Sequence, residues 1–401
     1  MKLKFYSGAF QMLFAVLLMV CSTTASAQKG WEQIYQLPTT NAMHISSEGN
    51  LILADYTFDG SGGIYLSTDK GENWKKTNAP DYAFNLFVEN DEYIFAAGMG
   101  CKVARSDDGG QTWEMLSYAR NVEDLIGAEN VDWSNAYAMT FHDGKLFVGD
   151  FCGGGVIYSE DNGETWVNTD VESLSFGEPD PKLGKRMVEN IYNLVSYQGH
   201  LYAFGVYFVF RYDATTNAWE VVRDDSNFMA VSAFYKGMVC FGRSVMNDSY
   251  DTDFIVTLNE AGEWGALPRP ETYDNNIRAM YAEGDYLFAG MAMTGFYYTN
   301  DSGQTWNKLE KNYPGACTPM AIRTDENYVY LACYYTPWGD AMNDSGLWRI
   351  AKSELEGGAV DGIENVVLGQ NANEIYDLSG RRVQKTTKGL YIINGQKVYV
   401  K

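Results

Sequence analysis

The sequence predicts an all-β fold: a seven-bladed β-propeller closed by its own N-terminal strand, with a small C-terminal β tail. Three observations carry this. A polar phrase ending on tryptophan recurs as STDKGENW (67–74), SDDGGQTW (106–113), SEDNGETW (159–166) and TNDSGQTW (299–306). A second phrase, a turn followed by apolar residues and a small one, occurs seven times, from EGNLILAD (48–55) to ENYVYLAC (326–333). Counting the worn copies YDATTNAW and LNEAGEW, the closing tryptophans stand at 74, 113, 166, 219, 264 and 306. Repeats of about 40–50 residues with four strands each are the period of propeller blades.

Each unit reads as four strands. An apolar stretch such as Ile191–Tyr197 or Ile277–Tyr281 comes first, and the turn phrase supplies the second strand. A third strand runs into the polar phrase, and a fourth begins at its tryptophan. Alternation and β-branched or aromatic content favour strand over helix. Seven second strands but six closing tryptophans leave one outer strand missing. Gly30-Trp31-Glu32-Gln33-Ile34 matches the missing strand, and the last unit ends at Gly346–Ile350 without a polar phrase. Blade seven is therefore expected from residues 28–36 and about 313–352, a closure that leaves no open edge.

The first residues read as an export leader. Lys2 and Lys4 precede the apolar run Met12–Val20, and Ala25-Ser26-Ala27 offers a small-x-small cleavage site before Gln28. The run is short for a membrane span. A lipid anchor at Cys21 is the alternative, with bulky Val20 before it. The expected division is 1–27 signal peptide, 28–355 propeller, 356–362 linker and 363–401 tail, in a protein secreted or held at the outer cell surface, with the periplasm as the other destination. No transmembrane segment is expected. The chain carries a net charge of −22, and −24 without its leader. Such a surface repels nucleic acid and anionic lipid and suits neutral or cationic ligands.

Neither a metal nor another cofactor is expected. There is no CxxC pair, and His44, His142 and His200 lack ligand spacing. The Asp161–Glu164 group lacks the spacing of an EF-hand loop. Cys317 and Cys333 flank a predicted turn near Asp325-Glu326, which would set them opposite each other as a disulfide.

The polar phrase resembles the Asp-box (BNR) repeat, S/T-x-D-x-G-x-T-W, of sialidases, some polysaccharide hydrolases, sortilin-type receptors and photosystem-assembly propellers. The copies at Ser106, Ser159 and Thr299 match fully, and the first has Asn73 for threonine. The resemblance implies that the boxes join third to fourth strands on the face opposite the ligand site. The box residues are then scaffold: Ser67, Asp69, Gly71 and Trp74; Ser106, Asp108, Gly110 and Trp113; Ser159, Asp161, Gly163 and Trp166; Thr299, Asp301, Gly303 and Trp306. Sialidases also need an Arg-Ile-Pro motif before the first box, but no arginine precedes Arg105.

On the face opposite the boxes, aromatic rings lie among carboxylates and guanidiniums. The candidate ligand-binding residues are Tyr56, Asp150, Phe151, Arg186, Tyr207, Arg278, Arg323, Tyr334, Tyr335 and Trp338. Such rings stack on sugar C–H faces, and the polar groups suit hydroxyls. No GxSxG elbow, phosphate loop or HExxH helix is present. Three readings follow: a binder of glycan or protein, a glycoside hydrolase using loop acids, or a non-catalytic assembly scaffold. No catalytic residue is singled out.

After Leu355 the composition changes. Residues 363–401 carry +3, against −27 for 28–362. Asn394-Gly395 between apolar runs predicts a two-residue hairpin. The pattern YDLSGRRV…KGLYIINGQKVYVK resembles the C-terminal sorting domains of Bacteroidetes type IX secretion, which implies contact with secretion machinery.

Overall fold

Seven four-stranded antiparallel sheets occur in the chain, and in six of them the strands are consecutive. The computed structural model describes residues 30–56, 62–181, 184–226, 228–243, 254–272, 276–292, 294–315, 317–335, 344–355, 375–376, 389–393 and 396–400. Blade one is Thr40–Ile45, Leu51–Tyr56, Gly62–Ser67 and Lys75–Lys76. The innermost strands of blades two to six are Phe84–Glu89, Ala136–His142, Asn193–Tyr197, Val231–Tyr235 and Ile277–Glu283.

Blade seven is Cys317–Thr324, Tyr328–Tyr335 and Gly346–Ala351, completed by the N-terminal strand Glu32–Tyr35. Glu32 pairs with Arg349 and Gln33 with Trp348. The propeller closes as its sequence predicts.

The second and third strands of the blades hold most of the buried residues. Ile94–Gly98 is buried along its whole length. A middle strand packs on both sheet faces, so it reads as a continuous apolar run. Cores form between blades: Ile52, Ala54 and Ile64 of blade one pack with Phe84, Ala96 and Trp113 of blade two. Blade seven's Tyr330 and Leu347 pack with Met43 and Leu53 of blade one. Outer strands are cut short, with two residues at Lys75–Lys76, Val167–Asn168 and Asn307–Lys308. Short, charged edges discourage pairing with another chain.

The four boxes share one hydrogen-bond pattern. The hydroxyls of Ser67, Ser106, Ser159 and Thr299 each donate to the box aspartate at 2.8 Å. They accept from the box glycine N–H at 2.7–3.0 Å. Each aspartate then accepts the amide four residues on, from Asn73, Thr112, Thr165 or Thr305, at 2.8–2.9 Å. Its second oxygen takes that residue's side chain at 2.6–2.7 Å. Both carboxylate oxygens are thereby occupied within the turn.

The boxes also tie neighbouring blades. Residues four and five of each box have positive φ: Lys70 and Gly71, Gly109 and Gly110, Asn162 and Gly163, Ser302 and Gly303. That double left-handed turn drives the box backbone against the preceding blade. A Cβ on Gly110 would come 2.6 Å from Ile52 of blade one, and one on Gly163 would come 2.7 Å from Leu116 of blade two. Donors from the preceding blade meet box carbonyls: Asn50 Nδ2 to Gly109 at 3.0 Å, Arg105 Nη1 to Asn162 at 2.9 Å, and Arg349 Nη1 to Lys70 at 3.3 Å. Trp74 and Trp113 return their indole N–H groups to the box glycine carbonyls at 3.1 and 3.0 Å. Trp74 stacks on Tyr35, and Trp166 meets Tyr118 edge-on.

Two connections between blades carry structure of their own. Between blades two and three, Ala119–Ile126 forms a helix, α1, which buries Val122, and a 3-10 turn follows at Ala128–Trp133. Between blades three and four, the 3-10 turn Val171–Leu174 precedes a ribbon pairing Ser175–Phe176 with Met187–Val188. Val122 and Leu174 anchor these segments in the cores.

The expected disulfide is absent: Cys317 and Cys333 are free, buried thiols. The turn closes at Asp325–Tyr328, and a bulge at Met320 shifts the register, so Cys317 faces Tyr335 and Cys333 faces Pro319. The two residues are thus diagonal neighbours rather than directly opposite, with their thiols side by side.

Residues Lys352–Lys401 form a separate unit. Its described strands, Ile375–Tyr376, Gly389–Ile393 and Gln396–Val400, make one antiparallel sheet. Ile393 pairs with Gln396, the register of the predicted two-residue hairpin. Among the described residues, no helix is long and apolar enough to cross a membrane.

Candidate functional site at the channel mouth

The innermost strands surround a central channel, and each starts at the face opposite the boxes. In five of them a β-bulge falls at the same place. The register shifts at Asn41, Asn85, Tyr137, Arg278 and Met320. A bulge leaves one residue outside the ladder and re-aims its side chain. Asn41, Asn85, Tyr137 and Met320 border a cavity of about 230 Å³.

Amides link the first three blades there. Asn41 Nδ2 donates to Asn85 Oδ1 at 2.8 Å. Asn85 Nδ2 donates to Asn135 Oδ1 at 2.5 Å and to the Ala136 carbonyl at 2.9 Å. Tyr192, Asn193 and Ser232 continue the polar lining, and Arg323 is its one charged residue.

Both channel arginines stand apart from carboxylates. Among the described residues, neither Arg278 nor Arg323 makes an ion pair, while Arg105, Arg186, Arg211, Arg223, Arg243 and Arg349 all do. Arg323 lies over the Tyr281 ring at 5.5 Å and donates to the Ile322 carbonyl at 2.8 Å. Enclosure by protein lowers both guanidinium pKa values, opposed by Tyr137 at Arg278 and by Tyr281 at Arg323. Arg278 is solvent-exposed even so.

Beside the channel, rings cluster on blades three and four. Tyr137 packs on Phe151 at 5.3 Å and on Tyr192 at 5.8 Å, and Tyr192 meets Phe228 at 5.3 Å. Phe176 packs on Tyr207 at 5.2 Å. Exposed apolar groups crowd these loops: Trp133 is 69% exposed, Met187 67%, Tyr207 55% and Tyr137 39%. Tyr137, Tyr192, Phe228 and Asn85 escape a reading of the sequence aimed at loops, because they sit at or just before the first residues of innermost strands. The repeat register was the signal able to find them.

The remaining candidates are spread around the same face. Asp150 is fully buried; it accepts from Ser134 Oγ, the Cys152 amide at 3.0 Å, the Gly154 amide at 3.3 Å and Tyr118 OH at 3.3 Å. Burial raises its pKa against those donors. Arg186 is bound to Glu172, with Nε to Oε1 at 2.7 Å. Tyr334 bridges to Thr39, and Tyr335 pairs with Cys317. Tyr56 ends the second strand of blade one. Trp338 lies outside the described residues.

The BNR/Asp-box repeat matches residues 104–115, the second box and its flanks. No curated protein matches the chain. Solved structures share the fold at low identity. YCF48 from Cyanidioschyzon merolae is 15% identical, covers 81% of this chain and 100% of its own, and has a TM-score of 0.52. The extracellular domain of the one-component system BT4673 from B. thetaiotaomicron is 12% identical, with a TM-score of 0.55, over 93% of this chain and 47% of that one. The WD40 repeats of RRP9 are 10% identical, with a TM-score of 0.54, over 82% and 98%. The chain is a seven-bladed β-propeller that carries Asp-box repeats.

Proposed function

We propose that this propeller is an exported recognition protein that holds a glycan across the channel mouth opposite its boxes. The observation that carries the reading is the group of exposed rings on one face, Trp133, Tyr137 and Tyr207, beside the amides of Asn41 and Asn85. Rings offer stacking surfaces for sugar C–H faces, and amides offer both donors and acceptors for hydroxyls. Arg278 and Arg323 would meet an acidic group on the ligand. Sugar hydrolysis needs two placed carboxyl groups, whereas among the described residues no carboxylate borders the cavity. The buried acids Asp150 and Glu189 hold backbone amides.

Full-length protein on a glycan array, with reducing-end release assayed in parallel, tests this. Binding without turnover, lost on Tyr207→Ala and Trp133→Ala, is the expected result. Turnover that depends on a loop acid would make the chain a hydrolase. Silence in both assays would favour a scaffold that docks a protein. Export predicts a mature N-terminus at Gln28, read by mass spectrometry of the protein recovered outside the cell.

A further inference from the structure

Glu189 lies in the connection entering blade four, just before its innermost strand, and is 1% exposed. Its Oε1 accepts the amides of Val206 and Tyr207, the latter at 2.9 Å. These amides belong to the turn between the second and third strands of blade four, which carries Tyr207 out to solvent. Oε2 is buried and has no hydrogen-bond partner. Gly205 makes room for this approach: a Cβ there would stand 2.0 Å from Glu189 Cγ. A buried carboxylate with one idle oxygen is costly for a structural brace, since a neutral side chain would accept the same two amides.

We propose that Glu189 is a positioning residue for the Tyr207 platform, and that gain or loss of its proton loosens or tightens the 205–208 turn. This regulation rests on the reading that the channel-mouth face binds ligand. Ionised, Glu189 holds both amides by charge-assisted bonds, which are the stronger kind. Protonated, it offers them a neutral carbonyl oxygen, and the turn relaxes. Burial raises the Glu189 pKa, against the pull of the Tyr207 and Val206 amides. The segment after the fourth strand packs on the turn through Ser226, and its Asp225 pairs with Arg223 and Arg243. Tyr192 is the titratable neighbour that feels its charge. On the packed elements, Arg186 and Glu172 pair with each other, and Asp150 is bound in its own network.

The test is amide hydrogen exchange of Val206 and Tyr207 in the full chain from pH 5 to 8, expressed as protection relative to intrinsic rates. Opening of the turn takes the two amides away and leaves the carboxyl buried, so its pKa is higher in the open turn than in the closed one, and protection in the wild type should rise by about tenfold with pH, the size of a charge-assisted over a neutral bond. Glu189→Gln keeps an acceptor without a proton to lose, and its protection should be flat at the acid-side level. A flat wild-type profile, or an equal rise in Glu189→Gln, overturns the proposal. No ligand enters the measurement, so failure to bind glycan would leave it standing, and its failure would leave glycan binding standing.

Discussion

Arg105, on the third strand of blade two, places Nη2 2.6 Å from Oε1 of Glu164 inside the box of blade three. The same guanidinium meets Glu114 at 2.7 Å and the Asn162 carbonyl at 2.9 Å, and lies over the Tyr93 ring at 4.8 Å. One buried cation thus fastens a blade to the next blade's box. Both glutamates are mostly exposed, so solvent discounts their attraction. Arg105→Ala should cost about 1–3 kcal/mol in urea unfolding. Arg105→Lys should recover only part of that, because an ammonium presents its donors from one nitrogen and cannot span acceptors held by both Nη1 and Nη2. Full recovery by lysine would mean that charge alone makes the tie.

The boxes set an acid limit. Asp301 is held at about 2, from an ordinary 3.8, by the Thr305 hydroxyl first, then by the Thr305 amide and the Thr299 hydroxyl. Asp108 and Asp161 are also lowered: burial raises them, but the hydroxyls and amides of Thr112 and Thr165 outweigh it. A depressed carboxyl contributes stability that is present above its unfolded pKa and is lost as pH falls through the folded one. The propeller should therefore lose stability progressively from about pH 4 to about pH 2. Carbon-detected NMR titration of Asp301 should move upward toward 3.8 in Thr305→Val. An unmoved midpoint would remove the hydroxyl as the main cause.

Blade number and ring closure were legible because they rest on repetition: box tryptophans and small residues after each second strand recur at fixed places. The turn bonding of Asp161 was legible for the same reason, since its partners Ser159 and Thr165 lie within six residues of chain. The channel mouth was not. Asn41, Asn85 and Asn135 are far apart in sequence and meet only because adjacent blades bring their innermost strands together. Bulges at Tyr137 and Arg278 leave no mark in a period-two pattern short enough to read either way. The register of Cys317 and Cys333 was not legible either, since it depends on where a turn closes.

Cys317 and Cys333 therefore yield a test of register. Burial first, and the neighbouring Cys317 thiol second, push Cys333 well above the ordinary thiol range. Neither thiol should react with a disulfide reagent at pH 8 until the chain unfolds. Reductant should leave the melting temperature unchanged. A drop of several degrees under reductant would show a bridge, since removing a native disulfide typically costs about 2–5 kcal/mol.

Ring closure depends on Trp31 more than on the strand it introduces. The strand Glu32–Tyr35 is half exposed, but Trp31 is 2% exposed. Its ring meets Phe296 of blade six edge-on at 5.0 Å, and its Nε1 donates to the Leu309 carbonyl at 3.2 Å. Its own amide donates to Lys311 at 3.0 Å. Trp31 thus pins the N-terminal strand to blade six before that strand completes blade seven. Trp31→Ala should cost about 3–5 kcal/mol, the range for emptying a buried aromatic site. Trp31→Phe should cost about 1–2 kcal/mol, because the ring stays and one carbonyl loses its donor. Limited proteolysis should then cut Trp31→Ala first near Glu32–Tyr35, with blades one to six released later. If both variants unfold with the wild type and resist protease equally, closure is carried by the Glu32–Arg349 strand pairing instead.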